Sequence, residues 1–219
     1  MKPWCYNWWM GSAVDAKGLE AQAEALSKAG FGGFHVIPIY GARGFEEKFR
    51  RFLSDDWMSA FADAVRIGGA HDLGVDLTMG SGWCFGGPML AKEEGVWRLF
   101  TTEVEKDIKS DMKVIWKGDN GTGQTRWLVA ALTGQQVKRA GLGGQGPMMD
   151  PFSVSAMDHF LAPYAAAFDK PGAAKPEHLY HDSYEYFRGA WTPGLFAAFR
   201  AKRGYALEDH LAELAGVGA

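Results

Sequence analysis

The stretch Gly32-Gly-Phe-His-Val-Ile-Pro-Ile-Tyr40 constrains this chain most. It is nearly all apolar, which suits a strand covered on both faces, and such strands belong to parallel sheets. The segments around it share one rhythm. Pro3 to Met10 reads as a first strand. Asp15 then serves as N-cap of a helix in which Leu19, Ala23 and Leu26 recur at helical spacing, and Gly30 marks its end. After the apolar stretch comes a charged loop, Arg43 to Arg51. Ser54-Asp-Asp opens a second helix, with Trp57, Phe61, Ala64 and Val65 on one face. Val75 to Met79 is a third strand. Three strand–helix alternations imply right-handed βαβ units and a parallel sheet. On this pattern alone, doubly wound and barrel forms both remain open.

From about Val96 to Val137 the rhythm changes. Thr101 to Ile108 alternates in the strand manner, and Met112 to Trp116 and Arg126 to Thr133 read as two more strands. Asp119-Asn-Gly-Thr-Gly123 is the turn between them. This is a small antiparallel insertion. Ser153 to Asp169 is helical by the spacing of Met157, Phe160, Leu161, Tyr164 and Phe168, with a kink expected at Pro163. A fourth strand begins at His178. Thr192-Pro193 reads as the start of a helix, with Thr as N-cap and Pro at the first helical position, ending near Gly204. A last helix carries Leu207, Leu211 and Leu214. The expected organisation is one α/β domain: three β/α units over residues 1–95, the β insertion over 96–137, and a fourth unit over 138–219.

The stretch His178-Leu-Tyr-His-Asp-Ser-Tyr-Glu-Tyr-Phe187 places Asp182 and Glu185 where the fourth strand should run out. In parallel α/β folds that lip is where ligands bind. Two acids there repel, and partial burial beside Tyr184, Tyr186 and Trp191 would raise the pKa of one of them. That would keep a carboxyl protonated for general-acid work. The plainer alternative is a pair of solvated loop acids. Gly80-Ser-Gly-Trp-Cys-Phe-Gly-Gly-Pro88 is either a tight turn or a loop that stands the Trp83 ring over a cleft. Asp150 is either a helix cap or a cleft carboxylate for hydroxyls or a cation. The chain holds nine Trp, fourteen Phe and seven Tyr. They serve a Trp-rich core, or they stack on the C–H faces of sugars.

Other functions are argued against. A net charge of -3 with no basic run gives nucleic acid no electrostatic footprint. No window approaches a membrane span, and the N-terminus lacks the sustained apolar core of a signal peptide. The expectation is a soluble chain without an export signal, its compartment undetermined. Cys5 and Cys84 define neither a disulfide framework nor a metal knuckle. No His/Cys/Asp spacing has the signature of a zinc site, and there is no Gly-x-Ser-x-Gly elbow. Gly141-Leu-Gly-Gly-Gln-Gly146 fits GxGxxG but lacks the preceding strand and following helix of a nucleotide site. A flexible loop closing on the Asp150 region is expected there instead.

Several pieces together resemble glycoside hydrolase family 106, the α-L-rhamnosidase-like barrels. They are Trp8-Trp9-Met10-Gly11, Ala29-Gly-Phe-Gly-Gly33, the Gly80–Pro88 loop, Val137-Lys-Arg139, Asp150-Pro-Phe-Ser153, Asp182-Ser-Tyr-Glu185, Trp191-Thr-Pro193 and Arg203-Gly-Tyr205. The resemblance implies a (β/α)8 TIM-barrel catalytic domain that removes terminal rhamnose with inversion, often with a bound calcium. Glu185 matches the acid of the Asp-Ser-x-Glu motif and takes the general-acid role, with Asp182 orienting it or the sugar. Trp83, Asp150 and Trp191 would line the subsite, with His181, Trp8 and Asn7 as further substrate contacts. Family members carry an Asn-Gly-Asn turn where this chain reads Gly11-Ser-Ala13, which leaves any contact from that turn open. A (β/α)8 barrel needs eight strands and about 250 residues, whereas four main strands are read here. The expectation is therefore an incomplete barrel of about four β/α units, lacking the second carboxylate that inversion needs. A glycoside substrate is implied, with no cofactor demanded by the sequence itself. A non-catalytic sugar-binding or degenerate piece and another barrel glycosidase, such as a galactosidase-like enzyme, are the rival readings. Open sheet edges would favour self-association.

Overall fold

The computed structural model describes residues 2–181 and 183–218. In chain order the elements are β1 (Trp4–Met10), α1 (Ala16–Lys28), β2 (Gly33–Ile39), α2 (Asp55–Ala70), β3 (Gly74–Thr78), β4 (Trp97–Thr102), β5 (Lys113–Asp119), β6 (Thr125–Leu132), α3 (Val154–Phe168), β7 (Leu179–Tyr180), α4 (Leu195–Arg203) and α5 (Leu211–Leu214). Short 3-10 turns lie between some of them. Strands β1, β2, β3 and β7 form one parallel sheet in that order, so each new strand joins beside the previous one. Strands β4, β6 and β5 form a separate antiparallel sheet with β6 in the middle. The molecule is thus a mixed α/β fold with an antiparallel insertion, as its sequence rhythm predicts.

The helix starts follow their capping residues. Asp15 Oδ1 accepts the Gly18 amide at 2.7 Å, Ser54 Oγ accepts that of Trp57 at 3.2 Å, and Ser153 Oγ accepts that of Ala156 at 3.3 Å. Each such cap stabilises a helix by about 1 kcal/mol. The apolar stripes of α1, α2 and α3 then bury against one face of the parallel sheet. Leu19 and Ala23, then Trp57, Phe61, Ala64 and Ile67, then Phe160 and Tyr164 meet Trp9, Phe34, Val36, Val75 and Leu77 from the strands. Trp57 stacks on Phe61 at 5.5 Å and leans on Trp9 at 5.8 Å. Full burial of one such ring stabilises the fold by about 1.5–3 kcal/mol. Every residue of β2 is buried, as expected of a central parallel strand.

Three expectations are corrected. The strand expected over Thr101–Ile108 is instead β4, which starts at Trp97 and stops at Thr102. The Thr102 hydroxyl accepts the Val104 amide at 3.1 Å and turns the chain into a 3-10 turn over Glu105–Asp107. The strand begun at His178 is only two residues long. Its partner β3 ends at Thr78, paired with Tyr180, and the chain beyond leaves for the glycine loop. The helix expected at Thr192 begins at Leu195, with Gly194 as a cap that has no side chain to offer. Thr192 is buried in the wall of the cavity that also holds Asp150. The helix does end at Gly204, whose φ of 79° is the left-handed conformation that suits glycine. Helix α3 runs unbroken through Pro163. Among the described residues, no helix is long and apolar enough to cross a membrane.

Candidate active site

The alternation of β1 divides its residues between two faces. Trp9 enters the helix-covered core, and Asn7 Nδ2 donates to Gln22 Oε1 of α1 at 3.0 Å. Trp4, Tyr6, Trp8 and Met10 point the other way and are exposed. Asn7 therefore turns away from Trp8, and the two residues expected to act together sit on opposite faces. On the open face, the Tyr6 and Tyr180 hydroxyls stand 3.3 Å apart, His35 Nε2 meets Thr78 Oγ1 at 3.1 Å, and Trp8 meets Trp83 edge-on at 6.4 Å.

Glu185 lies five residues beyond the end of β7, at the C-terminal lip of the parallel sheet. Its Oε2 accepts a very short hydrogen bond from Lys138 Nζ. The side chain is half-exposed, and Tyr184 beside it is 79% exposed. This acid therefore stands on an open shelf. Its wall is aromatic all the same. His181 packs against Phe85 at 3.8 Å between ring centroids and against Tyr184 at 4.8 Å, and Phe85 stacks on Phe160 of the core at 4.7 Å. Burial pushes the Tyr186 hydroxyl up in pKa, helped by nearby Cys84 and Tyr184 and opposed by a hydrogen bond to the Phe85 backbone. Burial likewise pushes the Cys84 thiol up. Asp182 lies outside the described residues.

Two glycine-rich loops build this shelf by packing backbone on backbone. Trp83 and Lys138 pair as an isolated bridge, and so do Gly86 and Met148. A Cβ on Gly82 would meet the Lys138 carbonyl oxygen at 2.1 Å, and one on Gly146 would meet Gly87 at 2.2 Å. The Gly141 amide donates to Ser81 Oγ at 2.8 Å. The Gly141–Gly146 segment, expected to be a flexible flap, is instead pinned against the 80–88 loop. Its glycines serve close approach. The Gly11-Ser12 turn is also structural: both residues are buried, and Ser12 Oγ accepts from Trp57 Nε1 at 2.9 Å.

Asp150 and Trp191 are brought together elsewhere. Both line a cavity of about 860 Å³ between α4 and the start of α3, with Glu93, Glu94, Thr192 and Phe199 among its walls. Glu185 and Trp83 are not among its lining residues. Asp150 is 1% exposed. Its Oδ1 accepts the Phe152 amide at 2.9 Å, while Oδ2 has no hydrogen bond of ordinary geometry among the described residues. Burial raises its pKa, opposed by the Phe152 amide and the Thr192 hydroxyl. Trp191 also packs on Phe196 and on the antiparallel sheet. The expected subsite is therefore split between a lip holding Glu185, Trp83, Trp8 and His181 and a separate cavity holding Asp150 and Trp191.

Two features escaped the sequence. Lys138 sits in a loop without periodicity, and 47 residues separate it from Glu185. Asp76 and His178, 102 residues apart, meet across β3 and the start of β7 at 2.9 Å. No local spacing could have joined either pair. With Glu177, Asp76 and His178 make the one group of three metal-type donors among the described residues. Two carboxylates and an imidazole do not supply the six to eight oxygens that calcium takes.

The family model described as alpha-L-rhamnosidase, glycoside hydrolase family 106, matches residues 101–218. That span holds Lys138, Asp150, Glu185 and Trp191, while Trp8 and Trp83 precede it. No curated protein matches the chain. Among solved structures, a rhamnosidase from Novosphingobium sp. PP1Y is similar at 17% identity with a TM-score of 0.38, over 54% of this chain. The chain covers 11% of that protein.

Proposed function

This chain belongs to glycoside hydrolase family 106, the alpha-L-rhamnosidase family, and on that premise we propose that it cleaves terminal α-L-rhamnosides with Glu185 as proton donor. The observation that carries this reading is the setting of Glu185. It stands beyond a strand end of a parallel sheet, tied to Lys138, whose backbone pairs with Trp83. A carboxyl and ring faces at such a lip are what glycoside hydrolysis uses, the acid protonating the leaving oxygen and the rings holding the sugar. We read the four-stranded sheet as a sector of a (β/α)8 barrel, supported by its sequential strand order and helices on one face. Inversion would place a second carboxylate roughly 6.5–9.5 Å from Glu185, with a water between them. Asp182 would orient the pair or the sugar. A calcium ion would take a set of oxygen donors and not the Asp76 group.

One observation favours a second reading, sugar binding without turnover: Glu185 is half-exposed and already engaged by Lys138. Hydrolysis of an aryl α-L-rhamnoside by the wild type and by Glu185→Gln separates the two. We expect turnover by the wild type and a loss of at least about 100-fold in the variant, the scale of general-acid catalysis. Equal rates would remove Glu185 from the mechanism. No turnover together with calorimetric binding of rhamnose would establish the second reading.

A further inference from the structure

We infer that Asp76, Glu177 and His178 form a binding site for a zinc-type divalent cation on the open face of the parallel sheet. The donor atoms of the three side chains all lie within 4.8 Å of one another. Around a tetrahedral ion with bonds of about 2.0–2.2 Å, donors stand about 3.4 Å apart. Closing the difference asks only for small rotations of Glu177 and His178, both exposed.

The anchor is already fixed. Asp76 is largely buried, and its Oδ1 accepts both the amide and Nδ1 of His178 at 2.9 Å. Its Oδ2 faces His35 Nδ1 at 3.6 Å, and His35 Nε2 is held by Thr78 at 3.1 Å. A carboxylate held by a backbone amide in this way is a prepared ligand, and a bound ion would take the place of the proton between Oδ1 and His178 Nδ1, that ring carrying its proton on Nε2 instead. Glu177 is built in as well. Its carboxylate folds over Gly74, where a Cβ would meet Oε2 at 2.6 Å, so glycine provides the room. Beside Asp76 the surface opens into a hollow of about 270 Å³ lined by Trp4, Cys5, Tyr6 and His35, large enough for a metal-bound water or small anion. Imidazole together with carboxylate suits zinc and its first-row neighbours better than calcium or magnesium.

The test is equilibrium dialysis of the whole chain against zinc chloride, with bound metal counted by mass spectrometry. The visible spectrum of the cobalt(II) form is recorded in parallel. We expect one zinc per chain, a tetrahedral cobalt spectrum, and at least about tenfold weaker binding in Asp76→Asn and His178→Gln. Glu185→Gln should bind as the wild type does. Absence of binding, binding unchanged in His178→Gln, or occupation by calcium in preference to zinc would each overturn the proposal. His178 is exposed, so its variant folds even if Asp76→Asn does not, and circular dichroism checks that.

Discussion

Trp83 and Lys138 exchange both of their backbone hydrogen bonds, at 3.0 Å and 2.6 Å. The exchange ties a loop that follows β3 to one that precedes α3. It also aims the Lys138 ammonium at Glu185 while the Trp83 ring faces Trp8. The acid at the lip is therefore positioned by backbone pairing 47 residues away.

Gly82 makes that pairing possible, which gives a first prediction. Its φ is 81°, and an added Cβ would stand 2.1 Å from the Lys138 carbonyl oxygen. The left-handed conformation alone costs a side chain about 1–2 kcal/mol, and the overlap with fixed backbone adds to it. We expect Gly82→Ala to lower stability by at least about 2 kcal/mol in urea titration. Gly69→Ala, at a helical site with nothing within 4 Å, should instead stabilise by about 0.5–1 kcal/mol. If Gly82→Ala matches the wild type, the close approach of the two loops does not govern the lip.

The parallel sheet and its helices were legible because each signal is local. Asp15, Ser54 and Ser153 cap the helices they precede, and the apolar run through β2 is buried along its length. The misreadings fall where a distant residue competes. Thr192 has the identity of an N-cap, but it is buried in the cavity wall it shares with Asp150, 42 positions earlier, and the helix starts at Leu195. Glu185 is a candidate from its place after an apolar strand, yet nothing nearby announces Lys138. The split between the Glu185 lip and the Asp150 cavity follows from how the antiparallel insertion and α4 fold back, which no periodicity records.

Asp150 yields a second prediction. An unfolded aspartate ionises near pH 3.9, and burial raises the native value. Between the two, the native state keeps a proton that the unfolded chain has lost. The stability this carboxyl contributes is thus full below pH 3.9 and is lost as pH rises through the native pKa. Asp150→Asn keeps an oxygen for the Phe152 amide and removes the titration. We expect the variant to melt above the wild type at pH 8 and to lose that advantage by pH 4. A difference that stays constant across thermal melts at both pH values would show that the carboxyl does not titrate with folding.

The open face of β1 carries the last prediction. Trp4, Tyr6, Trp8 and Met10 are each 38–55% exposed on one strand, and among the described residues β1 pairs only with β2, leaving its other edge unpaired. A free strand edge beside a row of apolar side chains is a template for pairing with another chain. We therefore expect the isolated chain to associate with itself as its concentration rises, with a mass by light scattering of at least twice that of the 24.0 kDa monomer. Met10→Lys sets a charge at the end of that row, where natural edge strands use lysine to block pairing, and should restore the monomer. If the wild type stays monomeric at every concentration reached, water covers this face without driving association. If the variant associates as the wild type does, the contact lies elsewhere, and the unpaired edge of β7 becomes the surface to vary.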